Sequence, residues 1–503
     1  MISKIHAIVP YGVEGKLVEV EGDKNRGLPA FNIVGMANKT INEAKERVRS
    51  AIVNSGFFFP NNRVTINLAP AELPKDGTYL DVPIALSILT LSGQLIRNDT
   101  ADKVFAGELS LNGEIRPIKG IINIVETAKD AGYKEIYIPM ANLTQARLIS
   151  GIDVYGVETL RSLFLTLKHQ ETLPLTSDTT IPKRVEEQAD GPILDHIRGQ
   201  KTAKRAMAIA IAGHHNILIS GPPGAGKTLL ARAAANLLPE PTPQEMIEIT
   251  KLYSIAGLTT DETIDKRPFR NPHHTASATS IIGGGASAGP GEISLAHKGI
   301  LFLDELPEFQ RPVLEALRQP LEDKTIVVSR ANRRSVYPAD FMLVATMNPC
   351  PCGYLSDPSH ECKCTELQIQ SYRKKLSGPL FDRIDMNIEV ERVDNRDLRN
   401  NLTESNMEHT VVKNTITEAI LRQKARYGRD GIYNSSLSSY QVSQILKLEP
   451  DAEKLLANAS KKLNLSARSY FKTIKVAQTI ADLDGADLIQ AKHLAEALTY
   501  RRR

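Results

Sequence analysis

The chain has 503 residues, 42% hydrophobic and 24% charged, with a formal net charge of +4. That length sets about three domains with substantial apolar cores, and the composition excludes a disordered or fibrous chain. No apolar run reaches the roughly 18 residues needed to span a bilayer, and Met1 to His6 shows no signal-peptide core, so a cytoplasmic protein without membrane contact is expected. A charge of +4 spread over this length does not point to nucleic acid; local basic clusters must carry that argument.

Residues 1–167 alternate strand-like and helix-like segments, an α+β pattern. Helices are expected at 41–55, 81–91 and 121–131, with strands at 63–68, 104–111, 114–117 and 135–138. Pro74-Lys75-Asp76-Gly77-Thr78-Tyr79 resembles the nucleophile motif of Lon proteases, and the stretch Ala106 to Gly120 resembles the one leading to Lon's catalytic lysine. The resemblance puts Tyr79 where Lon has its serine and Ile122 where it has its lysine. A Ser–Lys dyad needs a hydroxyl nucleophile and a basic amine within reach. The implied domain is therefore a catalytically degenerate protease fold, used for assembly or DNA contact. Residues 168–192 are polar with little hydrophobic period and read as a linker.

Residues 193–400 read as a P-loop α/β domain, a parallel sheet flanked by helices. A helix is expected at 201–212. Gly199-Gln200 before it resembles the adenine-side element of AAA+ ATPases. The apolar run Ile217-Leu218-Ile219 leads into Gly221-Pro222-Pro223-Gly224-Ala225-Gly226-Lys227-Thr228, and an Ala/Leu-rich helix follows. In that strand–loop–helix context the glycines let backbone N–H groups wrap phosphates at a helix N-terminus. Lys227 reaches the β- and γ-phosphates of ATP, and Thr228 holds Mg²⁺. Ile300-Leu301-Phe302-Leu303-Asp304-Glu305 has the pattern of a buried parallel strand delivering two carboxylates at its C-terminal edge. Asp304 is expected on Mg²⁺, with Glu305 as general base for the attacking water.

Between 324 and 336 two β-branched arms flank a basic tip, where related motors place a pore hairpin. Arg330, Arg333 and Arg334 there can grip DNA phosphates without reading sequence. The upstream insert adds Arg270, with His273 and His274. A solvated hairpin is the alternative. The strand at 341–348 ends in Asn348, which resembles sensor 1 of AAA+ proteins. Just beyond it lie all four cysteines, Cys350, Cys352, Cys362 and Cys364. Four thiolates in a cytosolic chain match a closed structural Zn²⁺ site; free or redox-active thiols are the alternative. Gly378 to Asp385 resembles the arginine-finger segment of the Mg-chelatase branch. Arg383 would reach the γ-phosphate of a neighbouring subunit, unless it pairs with Asp382 or Asp385. Residues 401–503 read as a helical lid. Ser466 caps a helix there, and Arg468 resembles sensor 2, implied to touch the γ-phosphate of its own subunit.

Together these motifs resemble the Mg-chelatase-like AAA+ ATPases of bacteria, specifically the YifB family of competence proteins. The resemblance implies an ATP hydrolase and DNA helicase, a homo-hexamer acting on single-stranded or branched DNA. Its implied role is branch migration during natural transformation or recombination. A magnesium-chelatase-type subunit or another remodelling factor is the alternative.

Overall fold

Apolar and polar side chains alternate along Val18-Glu19-Val20-Glu21, and the two valines are buried while the glutamates are partly exposed. They belong to β2 (Glu14–Asn25), which pairs antiparallel with β1 (Ile2–Tyr11), from Ile2 opposite Asp23 to Tyr11 opposite Glu14. The computed structural model describes residues 2–35, 39–73, 75, 78–173, 191–259, 262–285, 288–330, 333–355, 357, 360–392 and 407–501. Strands β3 (Ala30–Val34), β4 (Arg63–Ala69) and β5 (Lys103–Phe105) follow, then a short hairpin of β6 (Glu108–Leu109) and β7 (Ile115–Arg116). With β8 (Glu135–Pro139) and β9 (Asp153–Val157), the main sheet has the order β3-β4-β2-β1-β5-β8-β9. Ile5, Ala7 and Val9 of β1 face a core built with helices Lys39–Asn54 and Asp81–Leu91. Ile8, on the opposite side, packs with helix Ile121–Asp130. The sheet is thus covered on both faces. Gly22 is required where helix 81–91 crosses β2, because a Cβ there would collide with Ser3 and Ser87.

The helix Leu160–Leu167 ends this unit. Of the expected linker 168–192, residues 174–190 lie outside the described residues.

The second sheet is entirely parallel. Its strands are β10 (Ile217–Ser220), β11 (Phe269–Arg270), β14 (Ile300–Leu303), β17 (Met342–Met347) and β18 (Met386–Glu389), in the order β11-β14-β17-β10-β18. Between β11 and β14 a small insert pairs β12 (Gly283–Gly284) with β13 (Gly289–Pro290). Between β14 and β17 stands the hairpin of β15 (Thr325–Arg330) and β16 (Arg333–Pro338). Ile300, Leu301, Phe302 and Leu303 are all fully buried, as a strand covered on both faces requires. Parallel strands place every C-terminal end on one edge, so whatever follows β10, β14 and β17 meets there.

The C-terminal helices Glu408–Tyr427, Pro450–Lys462, Ala467–Leu483 and Ala491–Thr499 pack in one cluster with helix Lys201–Gly213. Ile416, Ala419, Ile474, Ala477 and Ile480 share one apolar core with Ala206, Ile209 and Ala210 of helix Lys201–Gly213. Gln423 donates to the Ala212 carbonyl at 2.8 Å, and the His215 Nε2 lies 2.8 Å from the Thr479 hydroxyl. Ser466 caps helix 467–483 by accepting from the Ser469 N–H. The N-terminal unit docks on helix Pro243–Ala256. The Gly120 N–H donates to Ser254, Lys251 pairs with Glu126, and Gln145 donates to the Glu262 carbonyl at 3.0 Å. Among the described residues no helix is long and apolar enough to cross a membrane.

Candidate nucleotide site and its surroundings

Gly221 to Thr228 leave the C-terminal end of β10 and open helix Lys227–Leu237. Gly224 and Gly226 have φ of +78° and +82°, the left-handed region that favours glycine. A Cβ at either would meet nothing within 4 Å, so the loop's inner side is an open cradle of backbone. Lys227 Nζ donates to the carbonyls of Gly221 at 2.5 Å and Pro222 at 3.0 Å, and to Asn348 Oδ1 at 3.0 Å. Burial pulls the Lys227 amine below its ordinary pKa, opposed by Asp304 and Glu305. An anion in the cradle satisfies that amine better than neutral carbonyls do.

Asp304 follows β14. Its carboxylate accepts from Thr228 Oγ1 at 3.0 Å and Thr346 Oγ1 at 2.5 Å. Glu305 has a left-handed backbone, φ +54°, and its N–H donates to Thr346 Oγ1 at 3.0 Å. Thr346 therefore positions both acids, a role not assigned from sequence. Its signal is a lone hydroxyl in the otherwise apolar run of β17. A carboxylate beside a threonine hydroxyl is the hard-oxygen pair that Mg²⁺ takes, so the donor set fits that ion. Gln200 sits across the loop, donating to the carbonyls of Ala225 at 3.3 Å and Glu391 at 2.6 Å. The structure thus gathers Gln200, 221–228, Asp304, Glu305 and Asn348 at one sheet edge.

Arg383 and Arg468 lie at the other edge. The Arg383 carbonyl accepts from Asn216, the residue just before β10. Its guanidinium donates to the carbonyls of Arg318 at 3.0 Å and Pro379 at 2.8 Å, and pairs with Glu322 rather than with Asp382 or Asp385. Arg468 binds the other oxygen of Glu322 at 2.7 Å. Lys472, one turn further along, donates to the Ile384 carbonyl at 2.7 Å. The helix of Arg468 packs with helix 201–213, which places Arg468 beside Arg383 on their shared partner Glu322. Glu322, the shared partner, gave no sequence signal.

Among the expected DNA contacts, Arg334 is exposed, and the register pair Arg330 and Arg333 closes the hairpin. The side chains of Arg330 and Arg333 lie outside the described residues. The hairpin base is anchored by buried Ile326, Val328 and Tyr337, whose hydroxyl donates to the Ala288 carbonyl at 2.8 Å. Arg270, in the insert, is paired within its own chain. Its guanidinium makes two bonds to Glu292, at 2.6 and 2.7 Å, and lies 6.0 Å from the Tyr253 ring centre, so its charge is already matched.

In the N-terminal unit Ile122 is fully buried and Tyr79 packs against two apolar clusters. Pro74, Asp76 and Gly77 lie outside the described residues. The Lys75 amine is buried on the carbonyls of Pro70 and Leu73.

The four cysteines converge. Their sulfurs all lie within 4.8 Å of one another. Cys350 and Cys352 are 3.3 Å apart, and each is 3.6 Å from Cys362. The Cys352 N–H donates to Cys364 Sγ at 3.4 Å. A tetrahedral Zn²⁺ with Zn–S of about 2.3 Å has sulfur–sulfur edges of about 3.8 Å, so the set fits that ion.

A parallel sheet carrying a phosphate loop, an acidic strand end and a polar strand tip on one edge defines a P-loop ATPase of the AAA+ class. Three family models match. The model described as magnesium chelatase, subunit ChlI, matches residues 193–398. Those described as subunit ChlI of Mg-chelatase and its C-terminal part match 20–142 and 406–501. Competence protein ComM of Haemophilus influenzae is 41% identical over 99% of this chain and 97% of its own length. YifB of Escherichia coli is 39% identical over the same shares. A magnesium-chelatase 67 kDa subunit of Chlorobaculum tepidum is 29% identical over 30% of this chain and 23% of its own length. The chain belongs to the ComM/YifB family of Mg-chelatase-like AAA+ ATPases.

Proposed function

We propose that this chain is an ATP-driven DNA motor that works as a hexameric ring, a helicase or branch-migration factor promoting integration of single-stranded DNA in natural transformation or recombination. The observation that carries the reading is the placement of Arg383 at the sheet edge opposite its own glycine loop. A finger so placed serves the loop of a neighbour, which requires a closed assembly. The loop N–H groups and Lys227 hold the triphosphate of ATP, Glu305 takes the proton of the attacking water, and Asn348 orients that water. Thr228 and Asp304 would hold Mg²⁺, which would neutralise charge developing on the phosphates. Arg383, with Arg468 beside it, completes the neighbour's site. Arg330, Arg333 and Arg334 at the hairpin tip track DNA phosphates. The four cysteines hold a structural Zn²⁺. The N-terminal unit, with Ile122 and Tyr79 at the dyad positions, serves assembly or DNA contact rather than proteolysis.

A labelled forked duplex tests this. Strand displacement should require ATP hydrolysis and be lost in the triple variant R330A/R333A/R334A with ATP binding retained. Displacement without hydrolysis, or none under any condition, contradicts the reading. The matches to magnesium-chelatase models favour a second reading, an ATPase subunit for metal insertion into a porphyrin. That reading predicts stimulation by a porphyrin-binding partner instead.

A further inference from the structure

The cysteine cluster is built into the wall of the nucleotide site. Asn348, whose side chain holds Lys227, is only two residues before Cys350. The turn that follows closes with the Gly353 N–H on the Cys350 carbonyl at 3.0 Å. Gly353, at φ +86°, lies against the phosphate loop; a Cβ there would come within 2.7 Å of Pro223 Cδ and 3.8 Å of Asn348 Cγ. Beyond Cys364, Thr365 caps helix Glu366–Lys374. That helix returns the buried Tyr372 to the apolar cluster that also holds Met347, the residue before Asn348. The path from Asn348 through the cysteines to Tyr372 is thus a closed circuit around the sensor residue.

Little else holds this circuit. From Pro351 to Thr365, only Gly353 and Asp357 are buried among the described residues. Asp357 pairs with His360 and lies 3.9 Å from Arg392, which follows the Glu391 whose carbonyl holds Gln200. With so small an apolar core, four thiolates around one ion are the main constraint on the turn.

We propose that the metal is a positioning element of ATP hydrolysis: Zn²⁺ on Cys350, Cys352, Cys362 and Cys364 fixes the 349–354 turn, and through it Asn348 and Pro223. This rests on the zinc reading above and adds its coupling to the nucleotide. Zinc takes no part in the chemistry, because four protein ligands leave it no open position. Its removal lets Asn348 and Lys227 drift, and a shift of about 1 Å in a positioning group costs up to about 10²-fold in rate.

The test uses the full chain, purified with reductant, and reads metal content, binding of a fluorescent ATP analogue, and hydrolysis. The expected result is one zinc per chain by elemental analysis. Cobalt exchanged into the site should give the absorption of a tetrahedral thiolate centre. Chelation, or the variant C362S/C364S, should lower kcat by about 10- to 100-fold, with nucleotide affinity changed much less. Zinc added back to the chelated wild type should restore kcat, which separates positioning from misfolding of the variant. Purification with no metal, or with disulfides among the four cysteines, would overturn the zinc reading itself. One zinc per chain whose removal leaves kcat unchanged would overturn the coupling alone.

Discussion

Two inactive variants, Arg383→Ala and Lys227→Ala, should restore activity to each other when mixed. Arg383 is anchored beside Asn216, whereas its own phosphate loop begins at Gly221. Between them lie the four residues of β10, about 13 Å at roughly 3.3 Å per residue. An arginine side chain does not bridge that span across its own sheet. Alone, Arg383→Ala lacks every finger and should hydrolyse ATP about 10³–10⁵-fold more slowly, while still binding it. Lys227→Ala keeps every finger but has no working loop. In rings assembled from equal amounts of both, one interface in four pairs an intact loop with an intact finger. Hydrolysis should therefore recover to about a quarter of wild type if interfaces act independently. The assay is steady-state phosphate release from subunits mixed before assembly, with co-purification of two tags proving mixed rings. Mixed rings with no more activity than either variant would refute the placement of Arg383 in trans.

Other consequences follow from the same geometry. Glu305→Gln should bind ATP as wild type does but lose about 10²–10⁴-fold in hydrolysis, measured by nucleotide titration beside phosphate release. Asp482 is fully buried and accepts from Arg426, from Asn434 at 2.9 Å and from Gln478 at 3.0 Å. Asp482→Ala leaves Arg426 unpaired and should cost the C-terminal helices about 3–5 kcal/mol, read by denaturant unfolding. Burial against Tyr433 pushes the His214 imidazole down to about 4, with Lys324, Arg267 and Lys298 adding to the effect and Asp340 opposing it. Between about pH 6.5 and pH 4 the unfolded chain binds this proton and the folded chain does not. Stability should fall as pH drops through that window, by at most about 3 kcal/mol. His214→Asn, which tolerates the left-handed backbone there, should flatten the slope in a pH series of unfolding curves.

The nucleotide edge was legible because its signals are local. Glycines, Lys227 and the Asp304-Glu305 pair each sit at a strand end that the sequence marks by itself. Helix 81–91 was readable for the same reason, as an unbroken apolar run. The alternation in β2 carried a period of two, yet β1 and β2 went unread beside the motifs further along. The order β3-β4-β2-β1-β5-β8-β9 was not readable, since it depends on which faces helices 39–54 and 81–91 cover. Arg468 shows the limit most clearly. Its helix and cap follow from Ser466 and the spacing of Ile474, Ala477 and Ala481. Its direction is set by packing of helix 467–483 against helix 201–213, more than 250 residues away in the chain. Glu322 and the match of Arg270 with Glu292 are likewise tertiary facts, since isolated charges carry no address in a sequence.

The most direct measurement is steady-state ATP hydrolysis by the full chain with and without forked DNA, over a salt series. A ring that grips phosphates through the hairpin arginines should hydrolyse faster with the fork, and the stimulation should decline steeply as salt rises. Robust basal hydrolysis, unchanged by any DNA at any salt, would contradict the account of this chain as a DNA motor.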